Sequence, residues 1–212
     1  MRFHVKCLLL GYALLWIAVS LRAESKLAVD RFTFHVMGDD PGGSQSGWIE
    51  MLSSMGLVNG AAEDAGVVVV PRHARKAAAV ADWSARVENG TVLVLEGESP
   101  LAETFGFRSA AKPPLPVRSV EDLRTPELRI IWEKALDVPV LEIPAYAWVF
   151  ARERGQKTPL VAGYRKGAGA VLWVAAPPGA HGYERFPYLP QALLDLGLEV
   201  PFRSGRLWAF FD

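Results

Sequence analysis

The chain has 212 residues, 50% of them hydrophobic and 22% charged, with 19 glycines and 15 prolines. That is too apolar for a disordered chain and too poor in glycine and proline for a fibrous one, and the length suits one globular domain with a short appendage. Basic and acidic residues balance at 23 each, so charge makes no case for nucleic acid, and with Cys7 the only cysteine a disulfide scaffold or cysteine-built zinc site is excluded.

The first element is a targeting segment. Arg2 and Lys6 precede an uncharged apolar run over residues 7–21, and Ala23 places a small residue before Glu24. This is the pattern of a secretory signal peptide. The run holds about 15 residues, where a spanning helix needs roughly 20. The expectation is cleavage after residue 23 and export to the periplasm or beyond the cell. The competing reading is an uncleaved N-terminal anchor, the one route by which this chain would meet a membrane. Cys7 lies ahead of the apolar core, which argues against a lipoprotein cysteine. Loss of residues 1–23 removes three basic and no acidic residues, leaving 20 basic against 23 acidic.

Strands and helices then alternate. Residues 32–38 form an apolar strand that ends in the turn Asp39-Asp40-Pro41-Gly42-Gly43. Trp48, Met51, Leu52 and Met55 recur at helical spacing and predict a helix that stops near Gly56. The run Val67-Val68-Val69-Val70 predicts a strand buried on both faces. An alanine-rich helix over residues 75–87 is ended by Asn89-Gly90, and residues 91–95 form a third buried strand. A short helix over 100–105 follows. Three strand–helix pairs in succession imply a parallel sheet.

The middle differs. Residues 110–126 hold four prolines and little periodicity, and read as irregular. Short extended runs over 129–132, 138–143 and 147–152 suit an antiparallel excursion at one sheet edge. Residues 160–164 and 170–175 flank Arg165-Lys166-Gly167-Ala168-Gly169, a hairpin signal. A last helix covers 188–196 and closes at Gly197. The central strands are expected to be 32–37, 67–70, 91–95 and 170–175.

This order resembles the class I glutamine amidotransferase-like fold over roughly residues 31–200. The resemblance rests on the Gly38-Asp39-Asp40-Pro41-Gly42-Gly43 turn, on residues 92–100, and on the late hairpin of residues 164–173. It implies an α/β domain with a three-layer, mostly parallel, flavodoxin-like sheet and an antiparallel excursion. The late hairpin is similar to that of the non-catalytic, sugar-associated branches. Catalytic members carry a Gly-x-Cys-x-Gly elbow, and Gly97-Glu98-Ser99-Pro100-Leu101 stands in its place. Ser99 would be the nucleophile. The residue after it supplies an oxyanion N–H in such elbows, and Pro100 has none. A helix N-cap serine followed by proline at the first helical position accounts for both residues together. His181 falls near the family's histidine and is the candidate base, the alternative being a solvated loop residue. Glu184 lies one place later than the family's orienting acid.

Asp39, Asp40, Glu96, Glu98 and His181 all follow predicted strands at the carboxyl edge, where open parallel sheets bind ligands. They are the candidate ligand contacts. The competing readings are turn chemistry for the aspartates and helix-dipole complementation for Glu98. Their spacing is not a metal motif, no nucleotide-binding glycine pattern is present, and no cofactor is implied. Trp48 and Trp83 are expected in the core. Trp132 and Trp148 are either core residues or a sugar-stacking platform. Residues 201–212 read as a linker whose apolar strip, Leu207, Trp208, Phe210 and Phe211, is similar to the opening of a (β/α)₈ barrel, as in secreted bacterial proteins where such a domain precedes a glycoside hydrolase-like barrel. That strip is expected to project from the domain or dock loosely. The leading expectation is therefore a secreted non-catalytic accessory module whose partner is a carbohydrate or an adjacent catalytic domain. An independent hydrolase using Ser99 or the acidic edge is the alternative, and an anchored envelope protein the third.

Overall fold

The computed structural model describes residues 30–38, 44–72, 74, 82–182 and 187–201. Strand β1 (Asp30–Val36) is followed by helix α1 (Ser44–Ser54), the two-residue strand β2 (Val58–Asn59) and strand β3 (Ala65–Val70). Helix α2 (Trp83–Glu88), strand β4 (Val92–Glu96) and helix α3 (Pro100–Thr104) come next. The middle of the chain builds β5 (Arg108–Ser109), β6 (Leu115–Asp122), β7 (Ile130–Val138), β8 (Leu141–Glu142) and β9 (Trp148–Glu153). The hairpin strands β10 (Pro159–Lys166) and β11 (Gly169–Val174) and helix α4 (Tyr188–Asp195) complete it.

Nine strands form one sheet in the order β2-β1-β3-β4-β11-β10-β9-β6-β7. The pairs from β2 to β11 are parallel, and the pairs from β11 to β7 are antiparallel. β5 and β8 pair separately as a short antiparallel ribbon. The protein is thus a mixed α/β domain whose sheet is parallel on one half and antiparallel on the other. The four segments expected at its centre lie side by side as β1, β3, β4 and β11. Every residue of β3, β4 and β11 is buried, which requires cover on both faces. β1 is less enclosed. Only β2 lies outside it, and Phe32 stays 43% exposed.

The helices bury part of the apolar set their spacing predicts, and Met51 and Met55 are half-buried. Trp48 and Leu52 of α1, and Trp83 and Val87 of α2, are core. Of the alanine-rich stretch, residues 75 and 77–81 belong with those outside the described set, as does 76, and the described helix begins after Asp82. The Asp82 carboxylate accepts the Ala85 N–H at 3.0 Å as its cap. In α4, Tyr188, Leu189, Ala192 and Leu193 face inward.

The middle of the chain corrects the sequence reading in two places. Residues 110–126 are not irregular throughout, because β6 runs through them. Pro116 is tolerated because β6 pairs with β9 only from Val120 onward, so the strand has a single neighbour at the proline. β7 is also one strand of nine residues where only a short run over 129–132 was expected. Its second half carries Glu133, Lys134 and Asp137 and is mostly exposed, as suits the last strand of a sheet. Residues 202–212, including the apolar strip, lie outside the described residues.

Ion pairs tie this half together. Arg124 forms a two-pronged pair with Asp122, at 2.7 and 2.8 Å, and reaches Asp195 of α4 at 2.9 Å. Its guanidinium also donates to the Tyr188 carbonyl at 2.8 Å. Glu121 accepts from Arg152 at 2.6 Å and from Lys157 at 3.1 Å.

Two expectations follow. At the start of β11, a Cβ on Gly169 would sit 2.3 Å from the Thr91 carbonyl oxygen and 2.4 Å from that of Val87. Both are backbone atoms, one at the entry to β4 and the other in the last turn of α2. Gly169→Ala is expected to lower stability by about 1–3 kcal/mol in urea unfolding, and an unchanged midpoint would contradict this packing. The second concerns Glu121. Its hydrogen bonds from Arg152 and then Lys157 hold its carboxyl below the ordinary range. A depressed carboxylate stabilises above the pKa of the unfolded chain, about 4.3, and that contribution is lost as pH falls through the folded value. Glu121→Gln should therefore melt lower than the parent at pH 7, and the gap should close as the pH is lowered below about 4.

Candidate functional site

Parallel registry brings the ends of β1, β3, β4 and β11 to one edge. Val36 pairs with Val69, Val70 with Leu95, and Glu96 with Val174. The carboxyl ends of these strands form the edge at which the sequence places its candidates. Asp39 and Asp40 lie outside the described residues, as does Glu184.

Glu96 is the last residue of β4 and is only 7% exposed. Its carboxylate accepts from the indole N–H of the fully buried Trp48 at 3.2 Å. The next residue, Gly97, is clamped on both sides. Its N–H donates to the Val174 carbonyl at 2.8 Å, and its own carbonyl accepts from the Trp173 indole at 2.8 Å. Gly97 has φ +63, and the Arg72 side chain lies 3.2 Å from where a Cβ would stand. Only glycine fits this turn without strain. Core tryptophans from α1 and β11 therefore set the geometry of the elbow.

Glu98 is exposed and Ser99 is half-buried. Ser99 is extended, with φ −157 and ψ 157, and its hydroxyl accepts the Ala102 N–H at 3.1 Å. Pro100 occupies the first turn of α3. The serine is thus a helix N-cap, as its pairing with proline predicts. Its hydroxyl oxygen is engaged by a backbone donor, and the residue that would complete an oxyanion hole has no N–H.

His181 is placed differently from the solvated loop residue that sequence suggests. It is 1% exposed, with its ring 4.5 Å from that of Trp132 on β7. Its carbonyl accepts the Lys134 N–H at 3.0 Å, so the segment docks on the outermost strand of the sheet. Gly182 beside it leaves room for Glu133, whose Oε2 lies 2.3 Å from the position of a Cβ. In the sheet β7 is five strands removed from β4. Ser99 and His181 do not form a hydrogen-bonded pair among the described residues, and each is held by a structural neighbour of its own.

The two tryptophans proposed as a platform also separate. Trp132 is 2% exposed and Trp148 is 54% exposed, so they do not present a joint face. Among the described residues no group of three or more His, Cys, Asp or Glu side chains is placed to hold a metal ion. Sequence reasoning missed a groove of about 670 Å³ over α2, α3 and the end of β10, where Tyr146, Tyr164 and Lys166 line the wall. Its residues come from four separated stretches, none of which carries a ligand-binding signature in the sequence.

No family model and no curated protein matches the chain. Solved structures do. The cold-adapted beta-galactosidase from Rahnella sp. R3 superposes with a TM-score of 0.55 at 13% identity, over 83% of this chain and 32% of that one. Gan42B, a GH42 beta-galactosidase from G. stearothermophilus, superposes with a TM-score of 0.55 at 13% identity, over 80% of this chain and 30% of that one. The chain spans about a third of the length of these proteins. At such identity the likeness shows the fold alone.

The cap assignment carries an expected outcome. Ser99→Ala should cost about 1 kcal/mol of stability through loss of the α3 cap, while Ser99→Asp should restore it by accepting the same N–H. Equal stability of the alanine variant and the parent would remove the cap from the account.

Proposed function

We propose that this chain is an exported, non-catalytic accessory module of the amidotransferase-like class, associated with carbohydrate and serving to place or assist a neighbouring catalytic domain. The finer architecture this entails is a three-layer, flavodoxin-like core, with the antiparallel strands as an excursion from it. The observation that carries the reading is the engaged Ser99. At the position where a nucleophile would stand, the hydroxyl caps α3 and the following residue is Pro100. Burial of His181 against Trp132 supports it from the other side, because the candidate base packs on β7.

The carbohydrate association draws on two supports. The late hairpin resembles those of sugar-associated branches, and the same fold recurs within two beta-galactosidases of which this chain spans about a third. Export draws on the basic start and short apolar run of residues 1–23. No helix among the described residues is long and apolar enough to cross a membrane.

The test is hydrolysis. The purified chain is assayed on nitrophenyl esters, anilides and glycosides beside Ser99→Ala and His181→Gln, with circular dichroism confirming that both variants fold. The expected result is no turnover that depends on either residue. A hydrolytic rate that collapses in both variants would replace this reading with an independent serine hydrolase.

A further inference from the structure

The groove beside the end of β10, away from the carboxyl edge, is built around one exposed aromatic ring. Tyr146 is 64% exposed, yet it is held by one ring contact and a closed backbone turn. Its ring meets Tyr164 edge to face, with centroids 4.8 Å apart and planes at 88°. Its backbone is closed into a turn by the Ala147 N–H donating to the Pro144 carbonyl at 2.9 Å. Tyr164 is itself fixed. Its hydroxyl donates to the Phe105 carbonyl at 3.0 Å, and its ring stacks on Phe107 with centroids 6.2 Å apart. Burial, and then the adjoining Tyr146 hydroxyl, push the Tyr164 phenol above its ordinary range, so it remains a neutral donor.

Polar groups surround that ring in both senses. Ser84 and Thr104 supply hydroxyls, Asp82 a carboxylate, and Arg165 and Lys166 donors. Their charges balance. Lys166 pairs with Glu88 at 3.3 Å and also bonds the Ser84 hydroxyl, Arg165 donates to the Asp195 carbonyl at 3.1 Å, and among the described residues the one lining carboxylate, Asp82, caps α2. An ionic ligand finds no surplus of opposite charge here. A neutral, hydroxyl-rich ligand finds both acceptors and donors beside a flat apolar face. The volume of about 670 Å³ is that of a site for a small molecule, which usually occupies roughly 300–1,000 Å³.

We propose that this groove is a binding site for a neutral saccharide, with the C–H face of one sugar ring stacked on Tyr146 and its hydroxyls bonded to the polar side chains between α2 and the end of β10. The proposal rests on the carbohydrate-associated reading above and gives it a location. Sugars suit the site because their ring faces are apolar and their rims carry hydroxyls that both donate and accept. An aromatic side chain already fixed in place stacks with little further loss of freedom.

The experiment uses isothermal titration and saturation-transfer NMR on the whole chain. The probes are β-linked tetrasaccharides of glucose, mannose, xylose and galactose, with tetragalacturonate as the charged comparison. At least one neutral tetrasaccharide is expected to bind. Tyr146→Ala should weaken that binding roughly tenfold, and Tyr146→Phe, which keeps the ring, should retain it. Trp148→Ala, at a side chain 54% exposed but outside the groove, should leave it unchanged. Undiminished binding by Tyr146→Ala would overturn the groove and leave the carbohydrate reading standing. Failure of every tetrasaccharide to bind would overturn both. Preference for tetragalacturonate over all four neutral probes would overturn the assignment of ligand class.

Discussion

The architecture turns on β11. On one side it pairs in parallel with β4, from Ala170 against Val92 to Val174 against Glu96. On the other it pairs antiparallel with β10 through six consecutive residues. All of it is buried. A strand that changes the sheet from parallel to antiparallel must satisfy two ladders of different geometry at once. Gly169 allows this, because its entry lies under the backbone of Val87 and Thr91 where no side chain fits. Gly167 then turns the hairpin at φ +61, close beneath Glu88. Helix α2, β4 and the hairpin are therefore locked in contact through backbone, and the rest of the sheet grows outward from them.

That lock reaches the carboxyl edge. Trp173 belongs to β11 and holds the Gly97 carbonyl, while Trp48 of α1 holds the Glu96 carboxylate. The edge that commonly leaves a crevice for ligands is closed further by α1, where a Cβ on Gly47 would stand 2.0 Å from the Pro178 carbonyl oxygen. Polar groups that sequence alone marks as candidates are thus engaged internally. Glu96 serves Trp48, Ser99 serves Ala102, and His181 lies on Trp132. Their chemistry is that of fixing turns in place. Glu98 is the exposed member of the described set.

What could be read from sequence follows the strength of the local signal. Val67–Val70 and residues 92–95 are apolar at every position, which only a strand covered on both faces tolerates. Ser99-Pro100 is a cap written in two residues, and Gly167-Ala168 is a two-residue hairpin loop. The antiparallel half was legible as strands but not in extent. Proline hid β6, because the missing N–H matters only where a second strand would need it. Glu133, Lys134 and Asp137 hid the second half of β7, because a sheet's last strand has no need of an apolar face on every side. Trp132 and Trp148 were equivalent as letters. Ile130-Ile131-Trp132 is apolar throughout, so no alternation told which face was covered, and Ile131 is 62% exposed between two buried neighbours. His181 carried no periodic signal in its glycine-rich loop, and its contact with β7 joins residues far apart in sequence.

The same reasoning says why binding capacity would lie away from the carboxyl edge. A ligand site needs side chains fixed in position whose outward groups remain free. At the edge, the fixed groups face inward to partners. Around Tyr146 the polar side chains are likewise bonded within the protein, Asp82 as the α2 cap and Thr104 to the Pro100 carbonyl at 3.0 Å, but the aromatic ring itself faces outward. Tyr164 and Phe107 form an anchored aromatic stack, with Phe107 continuing to Trp173 at 5.9 Å between centroids. Tyr146 rests on the end of that stack with most of its surface in solvent. The buried β11 therefore supports an exposed ring through three aromatic contacts, so the rigidity that closes one surface of the domain supplies a firm floor for another.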